Sequence, residues 1–223
     1  LQDGQVVDYI ERHFKCDGKR ENYWRRKSVK TLAKHYHCEK VHSKHVGMLA
    51  LSLFEQVQKM KLCEPQTGLE ELLGYAARLH DIGIAISYDK HYMHGAYLVR
   101  HCPLLGFTEQ EVITIARLVF WHSRPSGELP SFLAGDQPTD SEKWAAVSLF
   151  IAENLERTHR SLAQSVKLIK KGQRLSIQVS LSAPTPLEEA AADKIRKHTK
   201  RVFGQAIDVQ FSVQDRQLFL TDD

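Results

Sequence analysis

No apolar run in this chain is long enough to span a bilayer, and no short apolar core after a basic start marks a secretory leader. These absences argue for a cytoplasmic protein without a membrane partner. Cysteine is scarce. Cys16, Cys38, Cys63 and Cys102 show no Cys-x-x-Cys spacing, which suits reduced thiols and argues against a disulfide framework. There is no internal repeat, no low-complexity tract and no Gly-rich phosphate loop ahead of a sheet. Charge of one sign is not in large excess: the net charge is +4, a weak pull toward anions. With no recognition-helix pattern, sequence-specific nucleic-acid binding is excluded. An opening Leu1 in place of Met is expected of a fragment or a trimmed chain.

What is present is enough apolar material for a real core. At 223 residues and 42% hydrophobic content, the chain suits one fair-sized domain, or a domain plus an appendage. Histidine is the surplus, with twelve residues.

The pattern is mainly helical to residue 172. Val6, Val7, Ile10 and Phe14 mark one helical face, and basic residues including Arg25, Arg26, Lys27 and Lys30 follow. Val46, Leu49, Ala50, Leu53, Phe54 and Val57 step by three and four along an amphipathic helix that begins near His42. Pro65 and Gly68 break the chain before a nearly all-apolar helix that reaches His80-Asp81, where Gly83 supplies a stop. A helix is predicted from His91 to His101. Thr108 to Glu111 reads as a capping box opening the next one. Asp140 is expected to cap a long helix running from Ser141 to Lys171. From residue 173 the composition changes. Arg174 to Leu181 alternates as a half-buried strand. A helix follows the capping box Thr185 to Glu188, and Ile207 to Val213 alternates again. Leu218 to Leu220 adds a third strand. The expected fold is therefore mainly α: a helical domain over 1–172 and a small β-α-β-β appendage over 173–223.

Against this frame, imidazoles and carboxylates recur in an order that suits metal binding. His42, His80, Asp81 and Glu153 are candidate ligands of one divalent ion, Mn²⁺, Fe²⁺, Zn²⁺ or Mg²⁺, each of which accepts mixed nitrogen and oxygen donors. Asp81 is placed to bridge to a second ion completed by His94 and His122. Arg124, Lys44 and His45 are candidates to neutralise a phosphate's charge. His13, His35, His37, His159 and His198 read as structural. Arg25, Arg26, Lys27 and Lys30, with Lys170, Lys171 and Arg174, are candidate polyanion contacts.

This order of residues resembles the HD superfamily of metal-dependent phosphohydrolases. His94 and His122 look like the second-metal ligands of its members that cleave phosphate anhydrides or diesters. One departure is Glu153, in Ala152-Glu153, where the family carries Ala-Asp. A narrower resemblance covers nearly the whole chain. The strings Arg26 to Val29, His42 to Val46, Ala76 to Gly83, His94 to Val99, Gly106 to Glu111 and Ala152 to Arg157 look like the C-terminal half of exopolyphosphatases and guanosine pentaphosphate phosphatases. The resemblance implies a metal-dependent phosphohydrolase acting on polyphosphate, a nucleotide or another phosphate ester or anhydride, and a homodimer. It equally implies an alternative, a non-catalytic polyphosphate-binding and dimerisation module, because that family's cleavage site lies in actin-like domains that this chain does not contain.

Overall fold

The computed structural model describes residues 18–125, 127–184 and 188–213. The expectations for Val6 to Phe14, the Thr185 capping box and Leu218 to Leu220 lie outside them. Among the described residues, seven α-helices and one three-stranded sheet follow in order: α1 (Gly18–His35), α2 (Lys40–Lys59), α3 (Leu69–Leu79), α4 (His91–His101), α5 (Glu109–Trp121), α6 (Asp140–Leu155), β1 (Ala163–Lys171), β2 (Arg174–Leu181), α7 (Glu188–Phe203) and β3 (Ile207–Val213). The fold is mainly α with a small α+β end.

The helices sit where their apolar stripes require. The predicted face of α2, from Val46 to Val57, is buried, and α3 buries Leu69, Leu72, Leu73, Ala76, Ala77 and Leu79. At the start of α5 the Thr108 side chain accepts from the Glu111 amide, while the Glu111 carboxylate accepts from the Thr108 amide. The same reciprocal box opens α6 from Thr139 and Glu142, so the cap is Thr139 and not the expected Asp140.

Arg25 differs from its expected role as a polyanion contact. Its side chain is 11% exposed and donates to Glu21 at 2.9 Å, Glu111 at 2.7 Å, Glu71 at 3.4 Å and the Gly106 carbonyl at 2.8 Å. Three carboxylates already neutralise it, and it ties α1 to α3 and α5.

The long helix expected to reach Lys171 ends at Leu155, and residues 163–171 form a strand instead. Beyond that end His159 and Ser161 take positive φ, 54° and 53°, so the helix does not resume. Beyond the break, Val166 and Leu168 are buried between the exposed Ser165 and Lys167, the period of a strand and not of a helix. Gly172, at φ 59°, turns the chain so that Lys171 faces Arg174 in an antiparallel hairpin. β3 then pairs parallel to β2, after the α7 crossover. The described order is thus β-β-α-β, with residues expected in the helical part supplying the first strand.

The edge of β1 is covered by α2. The Gln56 amide donates to the Val166 carbonyl at 3.0 Å and accepts from the Leu168 amide at 2.8 Å, in place of a neighbouring strand. His45 adds a second tie. Its Nδ1 lies 2.8 Å from the Glu156 carboxylate and its Nε2 lies 2.8 Å from the Ala163 carbonyl. Both partners can only accept, so both ring nitrogens donate and the imidazole is charged. The Glu156 hydrogen bond holds His45 above the ordinary imidazole range despite burial. His45 therefore fastens the sheet to α2, a different role from the phosphate contact expected of it.

A raised folded-state pKa stabilises the protein below the unfolded value, near 6.5. That contribution is lost as pH climbs through the raised value. In urea denaturation, His45→Gln should cost about 2 kcal/mol at pH 6 and clearly less at pH 8.5. An equal cost at both values would contradict a charged His45.

Candidate metal centre

Five segments deliver candidate ligands to one place. His42 lies in the first turn of α2. His80 ends α3, and Asp81 follows it directly. His91 begins α4, His122 ends α5, and Glu153 lies in the last turn of α6. Four of the six are thus at helix ends, where a short side chain can reach past its own helix.

The His42, His80 and Glu153 ligand atoms form a triangle with all three edges 3.1 Å. Oδ2 of Asp81 joins it, 3.3 Å from His80 and 3.5 Å from His42. The other carboxylate oxygen, Oδ1, faces a second group. It lies 3.8 Å from His91 and 4.0 Å from His122, whose Nε2 atoms are 3.0 Å apart. One carboxylate therefore spans two triads. The Glu153 carboxylate reaches both His42 and His80 from the last turn of α6.

The imidazoles are locked by a shared local device. Nδ1 of His80, His91 and His122 lies 2.8, 3.0 and 2.5 Å from the carbonyls of Ala77, Tyr88 and Val119, each three residues back. A carbonyl can only accept, so Nδ1 carries the proton, and in the neutral ring Nε2 offers its lone pair to the centre. Two such lone pairs 3.0 Å apart, in His91 and His122, repel unless a cation or a proton lies between them. Bonds of about 2.1 Å to one ion place neighbouring ligands about 3.0 to 3.4 Å apart, from octahedral to tetrahedral geometry. The first triad matches that spacing on every edge, and the second is looser on its Asp81 edges. The donor set, imidazole with carboxylate, suits a hard-to-borderline divalent ion. His42 is held differently. Its Nδ1 is buried with no partner among the described residues, and its ring stacks on His159 at 3.8 Å.

The electrostatics follow from burial and proximity. Burial alone would depress His80, but the Asp81 and Glu153 carboxylates outweigh it and hold the imidazole well above its ordinary value. Burial and the charge on His80 push His122 down to about 4, so its ring is neutral near pH 7. Burial opposes ionisation of Asp81, yet His80 brings it down to about 2. The centre is thus built to hold positive charge between its carboxylates, and a metal ion can replace the proton that otherwise does so.

Sequence reading placed His42, His80, Asp81, His122 and Glu153 here, and the structure brings these five together. It does not bring His94 to them. His94 is half-buried one turn further along α4, and His91 occupies the expected place. The signal for His91 was the tight turn before it. A Cβ on Gly83 would lie 2.0 Å from the His91 carbonyl oxygen and 2.4 Å from the Gly95 nitrogen. Only glycine lets the start of α4 approach the end of α3, so Gly83 seats His91 beside Asp81.

Arg124 stands close by: its Nη1 donates to the Tyr92 hydroxyl at 3.0 Å, next to His91. Lys44 is exposed on α2. Arg26 and Lys30 are exposed on α1 and line a groove of about 950 Å³ with Lys40 and Arg78. Lys27 lies over the rings of Tyr23 and Trp24. Lys170, Lys171 and Arg174 are exposed at the hairpin tip, on a different element. A cavity of about 390 Å³ opens onto Asp81, lined also by Tyr36, Cys38, Glu39, Ile84 and His159. Among the described residues, no helix is long and apolar enough to cross a membrane.

A family model described as Ppx/GppA phosphatase, domain III, matches residues 24–191. Three curated relatives are named guanosine-5'-triphosphate,3'-diphosphate pyrophosphatase. That of Pseudoalteromonas atlantica is 31% identical over 55% of this chain and 23% of its own length. Those of Vibrio vulnificus and Vibrio campbellii are 26% and 25% identical, over 72% and 80% of this chain and 32% and 34% of theirs. The chain spans 23% to 34% of the length of these relatives.

Two outcomes are expected. Gly83→Ala should destabilise the chain by about 3 kcal/mol, read as a lower urea midpoint. In elemental analysis of protein dialysed against Mn²⁺, His91→Ala should lower the bound metal and His94→Ala should leave it unchanged; the reverse would return His94 to the centre.

Proposed function

The chain belongs to the Ppx/GppA phosphatase family, where it corresponds to domain III, and on that premise we propose that it is a metal-dependent phosphohydrolase of HD type, acting on a nucleotide, polyphosphate or other phosphate ester or anhydride. The observation that carries this reading is the Asp81 carboxylate, shared between two triads. His42, His80 and Glu153 would hold one ion with Oδ2 of Asp81, and His91 and His122 a second with Oδ1. When bound, divalent ions supply Lewis-acid polarisation of a phosphoryl oxygen and a lowered pKa for bound water.

The chain's own residues do the rest. The backbone carbonyls behind His80, His91 and His122 keep each Nδ1 protonated, so the rings need no rearrangement to present Nε2. Arg124, steadied by Tyr92, offers a fixed cation beside the second triad for the charge that collects on a departing phosphate. The cavity above Asp81 gives a substrate access to an otherwise buried set of ligands.

The test is phosphate release by the purified chain with Mn²⁺, Fe²⁺, Zn²⁺ or Mg²⁺, from 4-nitrophenyl phosphate, nucleotides and polyphosphate. His80→Ala should lower the rate by on the order of a thousandfold. A second reading is supported by the Arg26, Lys30, Lys40 and Arg78 groove: a module that binds polyphosphate without cleaving it. Binding that falls steeply with salt, in a chain that holds no metal and releases no phosphate, would favour that reading over the hydrolase.

A further inference from the structure

The C-terminal helix α7 packs against α6, the helix that carries Glu153. Lys194 of α7 extends over the Phe150 ring, its Nζ 5.5 Å from the centroid, and the His198 ring lies 5.0 Å from the same phenyl group. Phe150 lies one turn before Glu153 on α6. Lys194 is within electrostatic reach of the Glu153 carboxylate and of Arg157, and His198 is within reach of Arg124. The Lys194 ammonium thus stands over the face of α6 one turn from Glu153, with the His198 ring beside it.

This grouping is costly for a folded chain. Lys194 is half-buried and has no hydrogen bond or ion pair among the described residues. Burial, and then the like charge of Arg157, push its ammonium below the ordinary lysine value. Glu153 cannot neutralise it fully, because the same carboxylate is engaged by His42 and His80. A half-buried ammonium beside the Arg157 guanidinium needs an anion, and Glu153 of the metal centre lies on α6, one turn past Phe150.

We propose that the Lys194 ammonium binds a phosphate oxygen of the ligand held at the metal centre, with Arg157 on its flank. The proposal deepens the hydrolytic reading and rests on it. The helix that carries Lys194 is the crossover between the parallel strands β2 and β3, and the Thr199 hydroxyl of α7 accepts from the Ile207 amide of β3.

The probe is inorganic phosphate, titrated calorimetrically into the full chain, both Mn²⁺-loaded and chelator-treated. Lys194→Met keeps the methylene stem over Phe150 and removes only the charge. It should weaken phosphate binding by about tenfold, with metal content and melting temperature unchanged. Lys194→Arg should recover most of the affinity. Lys34→Ala, an exposed lysine on α1, should not alter it. In turnover of 4-nitrophenyl phosphate, Lys194→Met should raise KM more than it lowers kcat. Wild-type affinity in Lys194→Met, an equal loss in Lys34→Ala, or no phosphate binding by the wild-type chain would each overturn the proposal. A chain that binds phosphate through Lys194 but never turns over would sink the hydrolytic reading alone. One that turns over while Lys194→Met binds normally would sink this proposal alone.

Discussion

The shared Asp81 carboxylate is the constraint to which the rest of the helical part answers. Each of its oxygens faces a different triad, so the ends of α3, α4 and α5, the first turn of α2 and the last turn of α6 must all arrive within about a ligand-to-ligand distance of it. Bringing buried carboxylates and imidazoles together costs desolvation, and a cation between them offsets that cost. The closeness of α3 and α4 at Gly83, the apolar seams of α2 and α3, and the backbone locks behind three histidines all serve that convergence.

The sheet is joined to the helices by polar groups as well as by packing. The Gln56 amide stands in for a strand beside β1, and His45 with Glu156 closes the corner between α2, the end of α6 and the first residue of β1. The Glu156 side chain is fully buried and also accepts from the Ser161 amide, so the turn that ends the helical part is held by the same carboxylate.

Elements with a strong period were legible from the residues alone. The α2 stripe, the Thr108 box, and the alternation in β2 and β3 are local patterns, and each was recovered. β1 was not, because its basic ends and the absence of Gly or Pro after Leu155 made it continuous with the preceding helix. The helix stops at Leu155, and positive φ at His159 and Ser161, residues that give little local warning, keeps it from resuming. In the centre, five of the six expected residues come together, and His91 stands where His94, one turn away, was expected. His91 and His94 lie on the same helix, and only the contact at Gly83 decides which of them meets Asp81. Arg25 shows the same limit: its charge is obvious in the sequence, while its three carboxylate partners come from different helices.

Residue types and their order alone determined that the chain is mainly helical, that it ends in a small mixed element, and that it carries imidazoles and carboxylates suited to a divalent ion. These follow from local periodicity and from donor chemistry, which need no partner to be seen. The tertiary structure alone decided which histidine completes the second triad, which cations are free to meet an anion, and where the sheet begins. Those outcomes depend on distances between segments far apart in the chain. Such distances are set by close packing at a few points, as at Gly83, and leave no trace in the local pattern.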